Sequence, residues 1–166
     1  MIASLLLASL LAGMLEKGAG ERDAAAFAEA PSPKTPLRPF LLSRNGCGRA
    51  TGYAETNKIV TVGGKTHVAW LDSADEAFHV RIRTLDRRSG EWSETYTVGN
   101  AHDNHGGPAL TIDSRGFLHI VYYPHHHAMR YRKSKRPGDA SEWEEEIEFG
   151  ERLTYPTLVC SQNDTL

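Results

Sequence analysis

The sequence predicts an all-β fold made of a repeated four-stranded unit, and two observations carry that prediction. Short runs of alternating apolar residues recur beyond residue 40, with no helical period competing with them. The run that starts at Ile59 has a counterpart near Leu110, and His67 and His119 occupy matched positions 52 residues apart. A period near fifty residues that holds four strand signals is typical of a β-propeller blade.

The same repeat defines the limits of the predicted blades. Arg81 and Trp92 in the first unit match Arg130 and Trp143 in the second, at spacings of 49 and 51 residues. The two recurring tryptophans are predicted to be core residues of their blades. A small β-sandwich is the competing all-β architecture, but it requires no internal similarity of this kind. Since propellers close with roughly four to eight blades, we expect the chain to be a fragment of a longer protein. The predicted units are a blade at 57–107, a blade at 108–155 and a partial blade at 156–166.

The segment before the repeat is predicted to contain a secretion signal and a linker rather than a folded domain. Residues 1–15 are apolar and rich in small side chains, which is typical of a secretory signal peptide, although no lysine or arginine precedes them. We assign residues 1–30 to a signal-like helix with a short linker, and 31–56 to a proline-rich lead-in. A short buried helix is the alternative for the apolar run. The signal predicts a secreted or periplasmic protein, with no membrane association after its removal.

The net charge argues against a nucleic-acid partner, and the two cysteines leave open whether the protein contains a disulfide. The net charge of −2 gives no reason to expect nucleic-acid binding. Cys47 and Cys160 lie far apart and have no metal-type spacing. In an oxidising compartment they could form a disulfide, and otherwise we expect two buried thiols.

The candidate site lies in the stretch 102–130, which contains six of the eight histidines. A turn signal at 113–116 separates two strand-like runs, so the stretch predicts an antiparallel hairpin. Because the far ends of a hairpin lie side by side, the histidines at 102–105 should meet those at 125–127. Histidines that crowd together repel each other when they protonate, so such a cluster indicates a site that binds something.

Two blocks of this stretch carry a resemblance to a known family. His102-Asp103-Asn104-His105-Gly106-Gly107-Pro108 and Tyr123-Pro124-His125-His126-His127 are similar to motifs of the BNR-repeat-containing β-propeller family that includes ulvan lyases and related polysaccharide lyases. The resemblance covers roughly residues 45–166. It implies a propeller of about seven blades and cleavage of uronic-acid-containing polysaccharides by β-elimination. It also implies that a tyrosine and an arginine of the site come from later blades, beyond Leu166.

The resemblance assigns catalytic roles to His105 and His125, as base and acid or the reverse. Histidine titrates near neutrality and can fill either role, and a cationic histidine or an arginine can neutralise the uronate carboxylate. An acidic polysaccharide is therefore the expected partner, and no cofactor is expected. The expected substrate-binding residues are His102, Asn104, Tyr123, His127 and Arg130.

Several alternatives remain open in the sequence. His125 and His127 lie two residues apart, so with His102 or His105 and Asp103 they could bind zinc. A non-catalytic glycan-binding propeller and a sialidase-type hydrolase are the competing functions. The repeated pair His67 and His119 is predicted to be architectural, His126 should point away from its neighbours, and the run Glu144–Glu146 should be a solvated edge.

Overall fold

The computed structural model describes residues 39–53 and 56–166, and this part of the chain is all-β, as predicted. Its strands form two antiparallel sheets, consistent with a β-propeller fragment. Since it contains no helix, the described part offers no helical segment able to span a bilayer. The expected signal-like helix and the start of the lead-in, residues 1–38, lie outside the described residues.

The first sheet has four strands in sequential order. They are β1 (Ile59–Val62), β2 (Lys65–Ala74), β3 (Ala77–Asp86) and β4 (Tyr96–Ala101). Gly63 and Gly64 form the two-residue turn between β1 and β2, and both have positive φ. A type I′ hairpin requires positive φ at both central residues, so the pair of glycines explains the tight connection predicted there.

The second sheet has the same arrangement as the first, except that two strands take the place of the single outer strand β4. Its strands are β5 (Ala109–Ile112), β6 (Leu118–Tyr122), β7 (His125–Arg136), β8 (Asp139–Trp143) and β9 (Ile147–Thr154). β5, β6 and β7 follow one another, and β7 then pairs with both β8 and β9. β7 is twelve residues long, so its first part pairs with β9 and its last part with β8. The sheet therefore has five strands where the sequence predicted four.

The two sheets share one hydrophobic core. Tyr122 is fully buried, lies against Gly99 of the first sheet, and donates its hydroxyl hydrogen to Glu146 at 2.5 Å. Glu144 and Glu145 are exposed, as the sequence predicted for a solvated run, but Glu146 is half-buried and hydrogen-bonded, so the expectation is wrong for that residue. The core consists of apolar side chains from both sheets: Ala69, Leu71, Val80, Ile82, Val98, Ala101, Leu110, Leu118, Ile120, Tyr122, Ala140 and Trp143.

The described part of the lead-in packs along β2. β1 covers only the first half of β2, up to Val68, so the edge of the second half is open. The lead-in pairs with that edge: the backbone amide of Cys47 donates to Leu71 O, and that of Leu71 donates to Ala50 O. Residues 45–50 thus protect a strand edge that would otherwise be free to pair with another chain.

Three further predictions from the sequence can be compared with the structure: the partial blade, the pairing of the two cysteines and the burial of the two tryptophans. Residues 156–166, predicted as a partial blade, contain a turn and no assigned strand, and the Asn57 side chain holds them by donating to Leu158 O at 2.8 Å. Cys47 and Cys160 are free, half-buried thiols, so the structure contains no disulfide between them. Trp143 is core, whereas Trp92 is half-buried and stacks on Phe40.

The repeated histidines are buried in strands and bonded to neighbouring side chains. His67 Nδ1 lies 2.8 Å from Thr84 Oγ1, and His119 Nδ1 lies 2.7 Å from Tyr131 Oη. Burial lowers the pKa of His67 to about 4, and burial also lowers the pKa of His119, against the opposing effect of Asp113. Both side chains are therefore neutral parts of the fold at neutral pH, as their repeated positions indicated.

We expect the free energy of unfolding to fall as the pH decreases from 6.5 towards 4. In this window the unfolded chain binds a proton at residue 67 and the folded chain does not, which favours unfolding by on the order of 2–3 kcal/mol. Urea unfolding at pH 7, 5 and 4 measures the loss. A His67→Asn variant should show a shallower pH dependence, and a slope equal to that of the unsubstituted protein would contradict the assignment.

Candidate functional site

The two histidine-rich segments meet at one end of the second sheet, as the hairpin predicted. β5 and β6 pair with Leu110 opposite Ile120, so the loop before β5 lies beside the turn after β6. Two backbone hydrogen bonds join them: the His102 amide donates to Tyr123 O at 3.3 Å, and the Tyr123 amide donates to Gly106 O at 3.2 Å. The sheet register thus brings together residues about twenty positions apart.

Gly106 permits this close approach because it has no side chain. A Cβ atom at position 106 would lie 2.5 Å from Tyr123 O and 2.9 Å from the Ala101 side chain. Tyr123 O accepts the hydrogen bond from the His102 amide, so it cannot move away without disturbing that bond. The motif Gly106-Gly107-Pro108 predicts a backbone shaped for entry into β5, so that the His105 end can approach a ligand. The structure gives the specific reason for a glycine at 106, which is the close approach of the two segments.

Gly106→Ala is expected to destabilise the protein by about 1–3 kcal/mol, because the added methyl overpacks a contact between two backbones. Gly107→Ala is the matched control, since a Cβ atom there would meet nothing within 4 Å. Thermal unfolding followed by circular dichroism measures both variants. Equal melting temperatures for the two would show that the contact at Gly106 imposes no constraint.

Asp103 joins His105 and His125 into one hydrogen-bonded group. Its Oδ1 lies 3.1 Å from His105 Nδ1, and its Oδ2 lies 2.5 Å from His125 Nδ1. The Asp103 carboxylate also accepts the backbone amide of His105 at 2.7 Å, which closes a local turn. The two imidazoles stack with their centroids 4.0 Å apart. All three side chains are half-buried.

The charge of Asp103 determines which imidazole nitrogens carry protons. Burial alone would raise the pKa of Asp103, but hydrogen bonds from the His105 amide and from the His125 and His105 side chains hold it below its usual value. An ionised carboxylate only accepts hydrogen bonds, so both Nδ1 atoms carry hydrogen. The Nε2 atoms of both histidines remain for a ligand.

His102 and His127 form a second pair beside the first. Their ring centroids lie 4.2 Å apart, and each lies 6.0 Å from the ring of Tyr123. Both histidines are exposed and Tyr123 is half-buried, while Asn104 lies half-buried in the loop between the two pairs. Tyr123 has a φ of 91°, an uncommon backbone conformation for a bulky residue. The structure thus brings His102, Tyr123 and His127 into contact with one another, and substrate binding by these residues and by Asn104 stays a prediction.

Arg130 lies next to this group, but other protein groups already contact it. Its guanidinium carbon lies 3.6 Å from the centroid of the Tyr123 ring, a close cation–π contact. Its Nη1 and Nε lie 3.3 and 3.1 Å from carboxylate oxygens of Glu146 and Glu148. These contacts favour a role in supporting Tyr123, and contact between Arg130 and a sugar stays a prediction.

His126 does not point away from its neighbours as the extended strand predicted. Its φ is 62°, and β7 is bulged between His125 and His127 where it pairs with β9. A bulge places two residues opposite one and breaks the alternation of side chains. The His126 ring consequently lies 4.6 Å from the ring of His125, although it remains exposed.

Three residues near His105 escaped the sequence analysis. The rings of Tyr53 and Tyr155 lie 6.4 and 6.1 Å from that of His105, and Arg49 donates a hydrogen bond to the Tyr53 hydroxyl. Arg49 and Tyr53 belong to the segment interpreted as a lead-in, where no repeat or strand pattern marks them. Tyr155 follows β9, and only the pairing of its neighbour Thr154 with His125 brings it to the site.

One group of side chains has the composition of a metal site. One potential ligand atom from each of Asp103, His105 and His125 lies within 4.8 Å of the others. His127, which the zinc alternative included, instead contacts His102. A cation bound through the two Nδ1 atoms would have to displace the protons that Asp103 accepts. The geometry shown is therefore that of two hydrogen-bonded His–Asp pairs.

The chain is similar to curated proteins that are named ulvan lyases. It is 24% identical over 185 residues to a protein named ulvan lyase PL25 from Pseudoalteromonas sp. (strain PLSV), covering 96% of this chain and 37% of the relative. It is 29% identical over 145 residues to an ulvan lyase of Nonlabens ulvanivorans, covering 72% and 30%. The chain thus spans about a third of the length of these curated relatives.

A solved structure and a family model extend the comparison. The structure of a polysaccharide lyase described as a PL25 ulvan lyase aligns with a TM-score of 0.62 at 24% identity, over 72% of this chain and 32% of that one, which shows a shared fold. The family model described as "BNR repeat-containing family member" matches residues 65–166, more than half of the chain. The protein therefore belongs to the BNR repeat-containing family.

Proposed function

We propose that the protein cleaves a uronic-acid-containing, ulvan-like polysaccharide by β-elimination. The observation that carries this proposal is the joining of two stacked imidazoles by one carboxylate, with His105 and His125 both donating from Nδ1 to Asp103. The names of the similar proteins, which are ulvan lyases, support the same reaction class. Its polymeric substrate lies outside cells, so we propose a secreted or periplasmic protein.

The reaction needs a base and an acid on one sugar linkage. The base removes the proton α to the uronate carboxylate, and the electrons of that C–H bond form a carbon–carbon double bond. The glycosidic C–O bond breaks at the β carbon, and the acid protonates the departing oxygen. The neutral imidazole of the stacked pair accepts the first proton at Nε2, and the protonated one delivers the second. After one turnover their protonation states are exchanged.

The neighbouring side chains have a separate task. Removing the proton places negative charge next to the carboxylate, so cationic groups or hydrogen-bond donors must stabilise it. His102 and His127 are exposed beside the stacked pair, and Asn104 offers a side-chain amide. Tyr123, supported by Arg130, offers a ring and a hydroxyl. We propose that these residues bind the sugars on either side of the cleaved bond.

The test is to incubate the full-length protein, in which any later blades are present, with ulvan, and with a neutral polysaccharide as control. A lyase produces an unsaturated uronate, which is detected by its ultraviolet absorbance and by mass spectrometry. Saturated products would instead indicate a hydrolase of the sialidase type, and binding without products would indicate a glycan-binding propeller. Either result would overturn the proposal.

A further inference from the structure

Two tyrosines form a distinct aromatic feature beside the stacked histidines. The rings of Tyr53 and Tyr155 lie 4.7 Å apart at an interplanar angle of 44°. Tyr155 is 42% exposed, so it can still be covered by a ligand. Aromatic side chains combine a large apolar surface with a polar tip, and such groups suit ligands that are apolar on one face and hydroxylated at the edges.

Buried polar contacts hold both tyrosines in place from different parts of the chain. The buried amine of Lys58 donates to Gly52 O at 2.7 Å, which fixes the backbone just before Tyr53. Tyr155 follows Thr154, whose pairing with His125 ties it to β7. Tyr155 is therefore anchored to the strand that carries His125, and Tyr53 is held next to it by the segment around Lys58.

The backbone at both tyrosines is in the left-handed region. The φ angles are 70° at Tyr53 and 52° at Tyr155. Bulky residues adopt this region rarely, and each instance costs on the order of 1–3 kcal/mol that the rest of the structure must offset. Strained residues of this kind cluster at sites that bind ligands. Here the two strained residues contact each other and border His105.

Arg49 adds a positive charge to the pair. Its guanidinium carbon lies 5.4 Å from the centroid of the Tyr53 ring, and it donates a hydrogen bond to the Tyr53 hydroxyl. Among the residues that the structure describes, no carboxylate forms an ion pair with Arg49, whereas Glu146 and Glu148 both pair with Arg130. A half-buried guanidinium that pairs with no carboxylate of the described residues favours an anionic ligand, because charge-assisted hydrogen bonds to carboxylate or sulfate are strong.

We propose that Tyr53, Tyr155 and Arg49 form a sugar-binding subsite, in which Tyr155 stacks against an acidic sugar and Arg49 binds its anionic group. The inference rests on the proposed function in taking an acidic polysaccharide as the ligand. Ring distances of 6.1 and 6.4 Å from His105 place the subsite directly beside the proton-transfer pair. A sugar held there would fix the register of the polysaccharide across the histidines.

The test is equilibrium binding of ulvan oligosaccharides by isothermal titration calorimetry in a His125→Ala background, in which cleavage is prevented. Tyr155→Ala should weaken binding by roughly three- to tenfold, and Tyr155→Phe, which keeps the ring, should restore most of it. Arg49→Gln should weaken binding by roughly tenfold at low salt and reduce its dependence on salt, whereas Arg49→Lys should keep that dependence.

Arg115→Gln is the matched control, because Arg115 also lies 5.4 Å from an aromatic ring, that of Phe117, but at the turn between β5 and β6. If Tyr155→Ala and Arg49→Gln bind ulvan oligosaccharides as tightly as this control does, the inference is overturned. In that case ulvan cleavage by the unsubstituted protein would still uphold the proposed function. Binding that depends on the three residues without any cleavage would uphold the subsite and overturn the lyase reaction. No binding by any form of the protein would overturn both.

Discussion

His105→Ala is expected to lower kcat/KM for polysaccharide cleavage by roughly 10²–10⁴-fold, the usual contribution of one general acid or base. The same loss is expected for His125→Ala, because the proposed mechanism gives each histidine one of the two proton transfers. The double variant should lose little more than either single variant, since the two rings act as one unit through Asp103. Initial rates of formation of the unsaturated product measure all three.

His126→Ala provides the matched control for this prediction. Its ring is exposed and lies 4.6 Å from that of His125, but it makes no contact with Asp103 among those that the structure shows. We expect less than about a threefold change in kcat/KM, within the range of ordinary surface substitutions. Circular dichroism should show the same fold in every variant. Retention of normal activity by His105→Ala would refute its catalytic assignment.

The second large effect is expected at Asp103, which we interpret as a positioning residue. Asp103→Asn should lower kcat/KM by roughly 10–1,000-fold, because the amide NH2 takes the place of one of the two carboxylate oxygens and cannot accept the Nδ1 hydrogen that this oxygen received. One of the two histidines must then change its tautomer or its orientation. Nitrogen-15 NMR of the imidazoles separates this effect from a general loss of structure. The unsubstituted protein should show hydrogen on Nδ1 of both rings, and the variant should not.

A metal ion at the same residues makes a different prediction. If Asp103, His105 and His125 held a catalytic cation, a chelator would abolish activity and zinc would restore it. The hydrogen-bonded arrangement predicts that a chelator leaves the initial rate unchanged. Asp103→Glu, which keeps the carboxylate on a longer side chain, should recover part of the activity lost in Asp103→Asn. Loss of activity on chelation would contradict the positioning role.

Much of the fold could be predicted because strand periodicity and glycine turns are local properties. The spacing of His67 and His119 revealed the repeated unit, and both side chains lie buried at matching places in β2 and β6. The Asp113–Gly116 turn fixed the register of β5 and β6, and that register brought His105 beside His125. The sequence could not predict that two strands, β8 and β9, form the outer edge of the second sheet. This arrangement depends on the length of β7, because the two strands pair with different parts of it.

The sequence by itself therefore determined the all-β class, the repeat and the meeting of the two histidine segments, because each depends on periods and turns within about fifty residues. Only the tertiary structure decided how those side chains are used. It showed that Asp103 joins two imidazoles, that a bulge turns His126 towards His125, and that Tyr53, Tyr155 and Arg49 border the site. Arg49, Tyr53 and Tyr155 come from segments with no common pattern, so only the packing of the lead-in along β2 and the pairing of β9 with β7 bring them together.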